Sequence, residues 1–212
     1  MHRISAILLT AVVGASCRTG RVEPRPQIVQ PGAPGESSRV IAADKAVDLS
    51  KVQHTAADVR FMQAMIGHHG QALEMTALLL SRTSRRDMKL LAQRIDVSQA
   101  DEINMMQRWL EVRGQEIPGA RALHAHGATL MPGMLTAEEM DRLAEAKGAE
   151  FDRLFLEGMI KHHGGALIMV QELFSTPGAG QEVEIFAFAS DVDADQRTEI
   201  DRMGAMLKEL QK

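Results

Sequence analysis

Cysteine is nearly absent from this chain of 212 residues, which carries one, Cys17, so the mature protein holds no internal disulfide. Tyrosine is missing altogether, tryptophan occurs once and phenylalanine six times. With so few aromatics there is no surface of stacking rings alternating with basic residues, and a net charge of −4 supplies no positive field for a phosphate backbone. No nucleic-acid partner is expected. The one long apolar run, Ile4 to Val13, is too short to span a bilayer.

What the chain has instead is methionine, 14 residues of it, together with 8 histidines. A hydrophobic content of 45% is enough for one well-filled domain and too little chain remains for several large ones. The methionine excess over other large apolar residues needs a reason.

Residues 1–17 read as a signal peptide: Arg3 precedes the apolar run, and the small residues Gly14, Ala15 and Ser16 precede Cys17. That places the lone cysteine where a bacterial lipoprotein is cleaved and lipidated, although Gly14 stands where leucine is usual. An ordinary cleavage near Ser16 is the alternative. Either route exports the chain to the bacterial cell envelope, the periplasm or a membrane-anchored state. Residues 18–50 hold Pro24, Pro26, Pro31 and Pro34 with little apolar periodicity, and read as a disordered tether.

The remainder, residues 51–212, is organised by an internal repeat. Asp58 to Leu80 aligns without a gap on Asp152 to Phe174, about half of the positions being identical. A second segment follows each copy, in which Ala92, Gln99, Glu102, Ile103, Met106 and Leu110 match Ala189, Gln196, Glu199, Ile200, Met203 and Leu207. Repeat one covers 55–114, a crossover 115–148 and repeat two 149–211. Thr55 with Asp58 and Thr136 with Glu139 form capping-box patterns, Ser84 can cap a second helix, and Gly114 with Pro118 can end it. Four main helices are expected near Ala56–Leu80, Arg85–Arg113, Ala149–Phe174 and Gln181–Leu210, with a shorter one from Ala137 to Lys147. The predicted fold is all-α, a ferritin-like four-helix bundle of two repeated hairpins joined by a long crossover, the first and third main helices running antiparallel.

At 100° per residue, Met65, His68, His69, Ala72 and Met75 share one stripe, and Met159, His162, His163, Ala166 and Met169 share its copy. The small Ala72 and Ala166 at the stripe centres are the expected crossing point, which would place Met75 opposite His162 and His163, and Met169 opposite His68 and His69. Methionine at helical spacing commonly fills a core, where burial stabilises by roughly 1.5–3 kcal/mol per side chain. Histidine changes the balance, because an unpaired buried imidazole nitrogen costs about 1–3 kcal/mol. A metal would pair these nitrogens and also explain the recurrence of methionine beside histidine in both copies. Thioethers with imidazoles suit copper as Cu(I), whereas zinc favours Cys, His and carboxylate, and magnesium and calcium need oxygen. The predicted metal ligands are therefore Met65, His68, His69, Met75, Met159, His162, His163 and Met169. Gln99 and Gln196, which lie on apolar stripes, are expected to orient the ligand rings, with Glu102 and Glu199 as alternatives.

The strings FMQAMIGHHGQALEM and FLEGMIKHHGGALIM, each followed by a Q-x-x-E-I segment and separated by MPGMLTAEEM, resemble the bacterial envelope family catalogued as domain of unknown function 305. The resemblance runs from Asp58 to Leu207 and implies a ferritin-like bundle, with copper binding through Met and His in some relatives. Gly67 stands where proline is common in that family. His124, His126, Met131 and Met134 in the crossover could form an auxiliary metal site; His2 and His54 have no assigned role. Two other functions compete with a copper buffering, storage or tolerance protein. One is a metal-free helical interaction module at the membrane surface. The other is a di-iron oxidase, disfavoured because no histidine has an acidic residue three positions before it. No catalytic residue and no protein partner is read from the sequence.

Overall fold

The computed structural model describes residues 28–30, 38–43, 52–119 and 130–210. His2, Cys17, His124 and His126 lie outside them. The chain divides into two compact units, residues 1–48 and 49–212. In the first unit, β1 (Ile28–Gln30) pairs antiparallel with β2 (Arg39–Ile41), setting Ile28 opposite Ile41 and Val29 opposite Val40. The tether expected over residues 18–50 thus contains a small hairpin. Its β-branched residues suit extended backbone, but strands of three residues are too short to register as an alternating pattern.

The second unit is helical. Its described elements are α1 (Ala56–Arg82), α2 (Arg86–Val112), α3 (Ala137–Glu145), α4 (Gly148–Ser175) and α5 (Val183–Leu210). Capping boxes form at both expected places. The Thr55 side chain accepts from Asp58 N while Asp58 reaches back to Thr55 N, and Thr136 and Glu139 do the same for α3. The second helix starts one residue later than expected and is not capped by Ser84: the preceding Arg85 makes no side-chain cap, and its N–H donates to Thr83 Oγ1. The short helix ends at Glu145, with Ala146 in extended backbone as its C-cap, two residues short of the expected Lys147, so Gly148 does not stop it and instead opens α4 from a left-handed φ of 58°.

Helix α1 packs on α2, α4 on α5, and α1 on α4. Two apolar clusters fill these interfaces. One joins the N-terminal half of α1 (Phe61, Met62, Met65, Ile66) to the C-terminal half of α4 (Met169, Val170, Leu173), with Met106 and Trp109 from α2. The other joins the C-terminal half of α1 (Ala72, Met75, Leu79) to the N-terminal half of α4 (Phe151, Phe155, Met159), with Met88 from α2 and Met203 from α5. Opposite halves meeting in this way make α1 and α4 antiparallel. The layer between the two clusters is where the histidines lie.

Candidate metal centre

His68 and His162 meet where α1 crosses α4, their ring centroids 3.9 Å apart. His69 flanks one end of this pair and His163 the other, at 6.3 and 6.2 Å with the same interplanar angle of 57°. The near-equality is what a two-fold relation between the repeats would produce. The crossing point is one turn from the expected one: Ala72 and Ala166 fall in different clusters, and the rings occupy the centre. Met75 lies beside α4, its methyl 3.3 Å from where a Cβ on Gly158, one turn before His162, would stand. Two flat imidazoles, here tilted by 38°, can meet at van der Waals distance, so helix approach does not require alanine.

All four rings are almost fully buried, and each commits Nε2 to an acceptor. His69 Nε2–H donates to Glu102 Oε2 at 2.5 Å, and His163 Nε2–H to Glu199 Oε2 at 2.7 Å. His68 Nε2–H donates to the carbonyl oxygen of Pro132 and His162 Nε2–H to that of His68, both at 2.9 Å. Because a carbonyl oxygen can only accept, these bonds fix the tautomer, and in the neutral ring the lone pair resides on Nδ1. The Nδ1 atoms of His69, His162 and His163 are buried with no hydrogen-bond partner. A ring held through one nitrogen by a carboxylate or carbonyl, with the other left bare, is the arrangement of a metal-ligating histidine.

Glu102 and Glu199 are the groups that orient His69 and His163. Gln99 and Gln196 are buried, 1% and 2% exposed, but among the described residues neither amide bonds to a histidine ring, and Gln99 Oε1 has no partner. A carboxylate is the stronger acceptor for an imidazole N–H. The carboxyl of Asp195 is pushed up by partial burial and then by the charges of Glu102 and Glu199.

The crossover reaches the site through the Pro132 carbonyl that accepts from His68. Gln71 Nε2 donates to Leu135 O at 2.9 Å while Leu135 N donates to Gln71 Oε1 at 2.8 Å, a two-point clamp on the strap Met131–Leu135. Gly165, at the position equivalent to Gln71, lets Pro132 come so near that an added Cβ would stand 1.9 Å from the Pro132 carbonyl oxygen. A Cβ added at Gly133, whose φ is 74°, would stand 2.5 Å from Lys161 O and 2.6 Å from the Cα of Gly165. The repeats differ at this position, H-H-G-Q-A against H-H-G-G-A, and that difference was the sequence signal for the strap. Met134 of the strap is 3% exposed and Met131 packs against the first cluster, so both are buried or half-buried rather than on a free loop.

Burial pushes the pKa of His162 well below the ordinary value of 6.5, and the neighbouring imidazoles of His68, His163 and His69 add to this. In the folded chain His162 stays neutral where the unfolded chain, titrating near pH 6.5, takes up a proton. Above that pH the two states bind alike; as pH falls below it the unfolded state gains protons that the folded state refuses, so stability declines until the depressed folded pKa is reached. Urea unfolding of the metal-free chain should therefore give a lower midpoint at about pH 5.5 than at about pH 7.5. A midpoint that rises toward acid would contradict this account.

The comparisons agree with the helical arrangement. A DUF305 fragment from Deinococcus radiodurans is 30% identical, with a TM-score of 0.63 over 74% of this chain and 98% of that one. A DUF305 protein from Streptomyces coelicolor, provisionally described as secreted, is 29% identical, with a TM-score of 0.62 over 73% of this chain and 93% of that one. CopM in its Cu(I)-bound form is 28% identical, with a TM-score of 0.56 over 74% of this chain and 98% of that one. CopM has also been solved bound to Cu(II), bound to silver and in its apo form. No curated protein matches the chain. The family model described as Domain of unknown function (DUF305) matches residues 58–207, most of the helical unit, and the chain belongs to that family.

Proposed function

We propose that this protein binds a soft metal ion, Cu(I), in the bacterial cell envelope, and that it buffers, stores or confers tolerance to copper. The observation that carries this reading is the set of buried Nδ1 atoms on His69, His162 and His163, which have no hydrogen-bond partner, in rings whose Nε2 atoms are all engaged. The buried methionines of the two clusters lie on either side of this layer, and among the described residues no group of three or more His, Cys, Asp or Glu is placed to hold an ion. Imidazole completed by thioether is a donor set for Cu(I). Met65, His68, His69, Met75, Met159, His162, His163 and Met169 would hold the metal, with Glu102 and Glu199 fixing two of the rings. CopM, solved with Cu(I), Cu(II) and silver, supports copper as the ion.

In this reading the helical unit is a ferritin-like bundle of two repeated hairpins and carries no catalytic residue. Cys17 follows the signal peptide and is lipidated, so the membrane is reached through that anchor; among the described residues no helix is long and apolar enough to cross it. The metal ion is the partner. Competition titration of the metal-free chain against a Cu(I) chelator under reducing conditions, and separately against a Zn(II) chelator, tests the reading. Cu(I) should bind more tightly than Zn(II), since a thioether is a poor ligand for the harder ion. Zinc binding equal to or tighter than copper would overturn it.

A further inference from the structure

The hydrogen bond from His69 to Glu102 sets the register of α1 against α2, and the bond from Thr76 Oγ1 to Asp96 Oδ1, at 3.2 Å, confirms it two turns further on. In this antiparallel pair, one turn back from His69 on α1 is Met65 and one turn forward from Glu102 on α2 is Met106. The two methionines therefore form the next rung of the same ladder. Both are 0% exposed and both lie in the first cluster. The second hairpin repeats the pattern from its own bond, His163 to Glu199: one turn back is Met159, one turn forward is Met203, again both 0% exposed and both in the second cluster. The remaining stripe methionines sort the same way, Met169 into the first cluster and Met75 into the second.

The geometry points to two separate soft-metal sites per chain, with Met106 and Met203 as additional thioether ligands. The first would comprise Met65, Met106, Met169 and Nδ1 of His69; the second Met159, Met203, Met75 and Nδ1 of His163. This inference rests on the copper reading above and extends it, for it assigns each methionine to one site and sets the stoichiometry. Of the eight residues proposed above, His68 and His162 fall outside both sites in this finer assignment: their tilted rings, 3.9 Å apart, lie between the two. Three thioethers and one imidazole give a four-coordinate site of neutral donors for a monovalent soft cation, which needs no thiolate in an oxidising compartment.

The test is a Cu(I) titration of the full helical chain against a competing chelator under reducing conditions, with sulphur coordination read by X-ray absorption. Wild type should take up two equivalents, each with three sulphurs. Met106→Leu should weaken one equivalent by about tenfold or more and leave the other intact, and Met203→Leu should do the same to the other. Met88→Leu, a buried methionine of the second cluster outside both rungs, should change neither. Two equivalents held as tightly in both variants as in wild type would overturn the assignment of Met106 and Met203 while leaving copper binding in place. A wild-type count of two sulphurs per copper, or uptake of a single equivalent, would also overturn it, and needs no variant to fold. Failure of the wild type to bind Cu(I) at all would overturn this inference and the copper reading together.

Discussion

Gly165→Ala should destabilise the folded chain by about 2 kcal/mol net, although an alanine in a helix ordinarily gains up to about 1 kcal/mol over glycine. The reason is the strap. A Cβ at this position would stand 1.9 Å from the carbonyl oxygen of Pro132 and 2.4 Å from its carbon, and neither is the end of a flexible side chain. The strap cannot slide aside, because Gly133 already touches Lys161 O and Gly165, and Gln71 clamps Leu135 through both of its backbone groups. Lifting it breaks the two Gln71 bonds and the bond from His68 to Pro132, each worth about 1 kcal/mol net. Gly164→Ala is the control, for nothing lies within 4 Å of its added Cβ and propensity alone should act, with a stabilisation of up to about 1 kcal/mol. Urea unfolding of the two variants decides between helix propensity and the close contact. Equal stabilisation of both would mean that Pro132 does not press on α4 as the structure places it.

The helices were legible in the sequence because their signals are local. Thr55 with Asp58 and Thr136 with Glu139 mark helix starts within four residues, and the stripes of methionine and histidine have a period that only a helix satisfies. The antiparallel pairing of α1 with α4 was also within reach, since the long crossover demands it. The exact crossing was not. Helical angles place Ala72 and His68 on the same stripe but say nothing about which turn meets the partner, and the stacking of His68 on His162 depends on ring orientation.

That orientation is set by partners remote in sequence. Glu102 is 33 residues from His69 and Pro132 is 64 from His68, and the first was visible only as an alternative to Gln99. Angular position favoured the glutamine because it sits deeper in the apolar stripe. The bond goes to the carboxylate at the stripe's edge because it is the stronger acceptor, and its second oxygen accepts from Ser98 Oγ at 3.3 Å while the side chain stays 14% exposed. Asp58 shows the same limit: its cap on α1 was readable, whereas the bond its Oδ1 accepts from Gly180 N, at 2.7 Å, ties the start of α1 to the α4–α5 connection and has no sequence trace.

Replacing Met65, Met75, Met159 and Met169 together by leucine should leave a folded helical chain whose Cu(I) affinity has fallen by about 100-fold or more, equivalent to roughly 2.7 kcal/mol. Leucine and methionine have similar volumes, and such exchanges in a core usually cost less than about 1.5 kcal/mol each. Met65 and Met169 lie in one cluster, Met75 and Met159 in the other, so strain introduced in one lobe is not compounded by the other. Leucine keeps the apolar burial and removes the sulfur, so any change in metal affinity at constant helicity reports ligation alone. Zn(II) affinity should change far less, since zinc would rely on the imidazoles that remain. The measurement is a chelator competition for each ion with circular dichroism followed in parallel. If the folded variant holds Cu(I) as tightly as wild type, the four methionines act only as core residues, and the methionine excess is then a matter of packing.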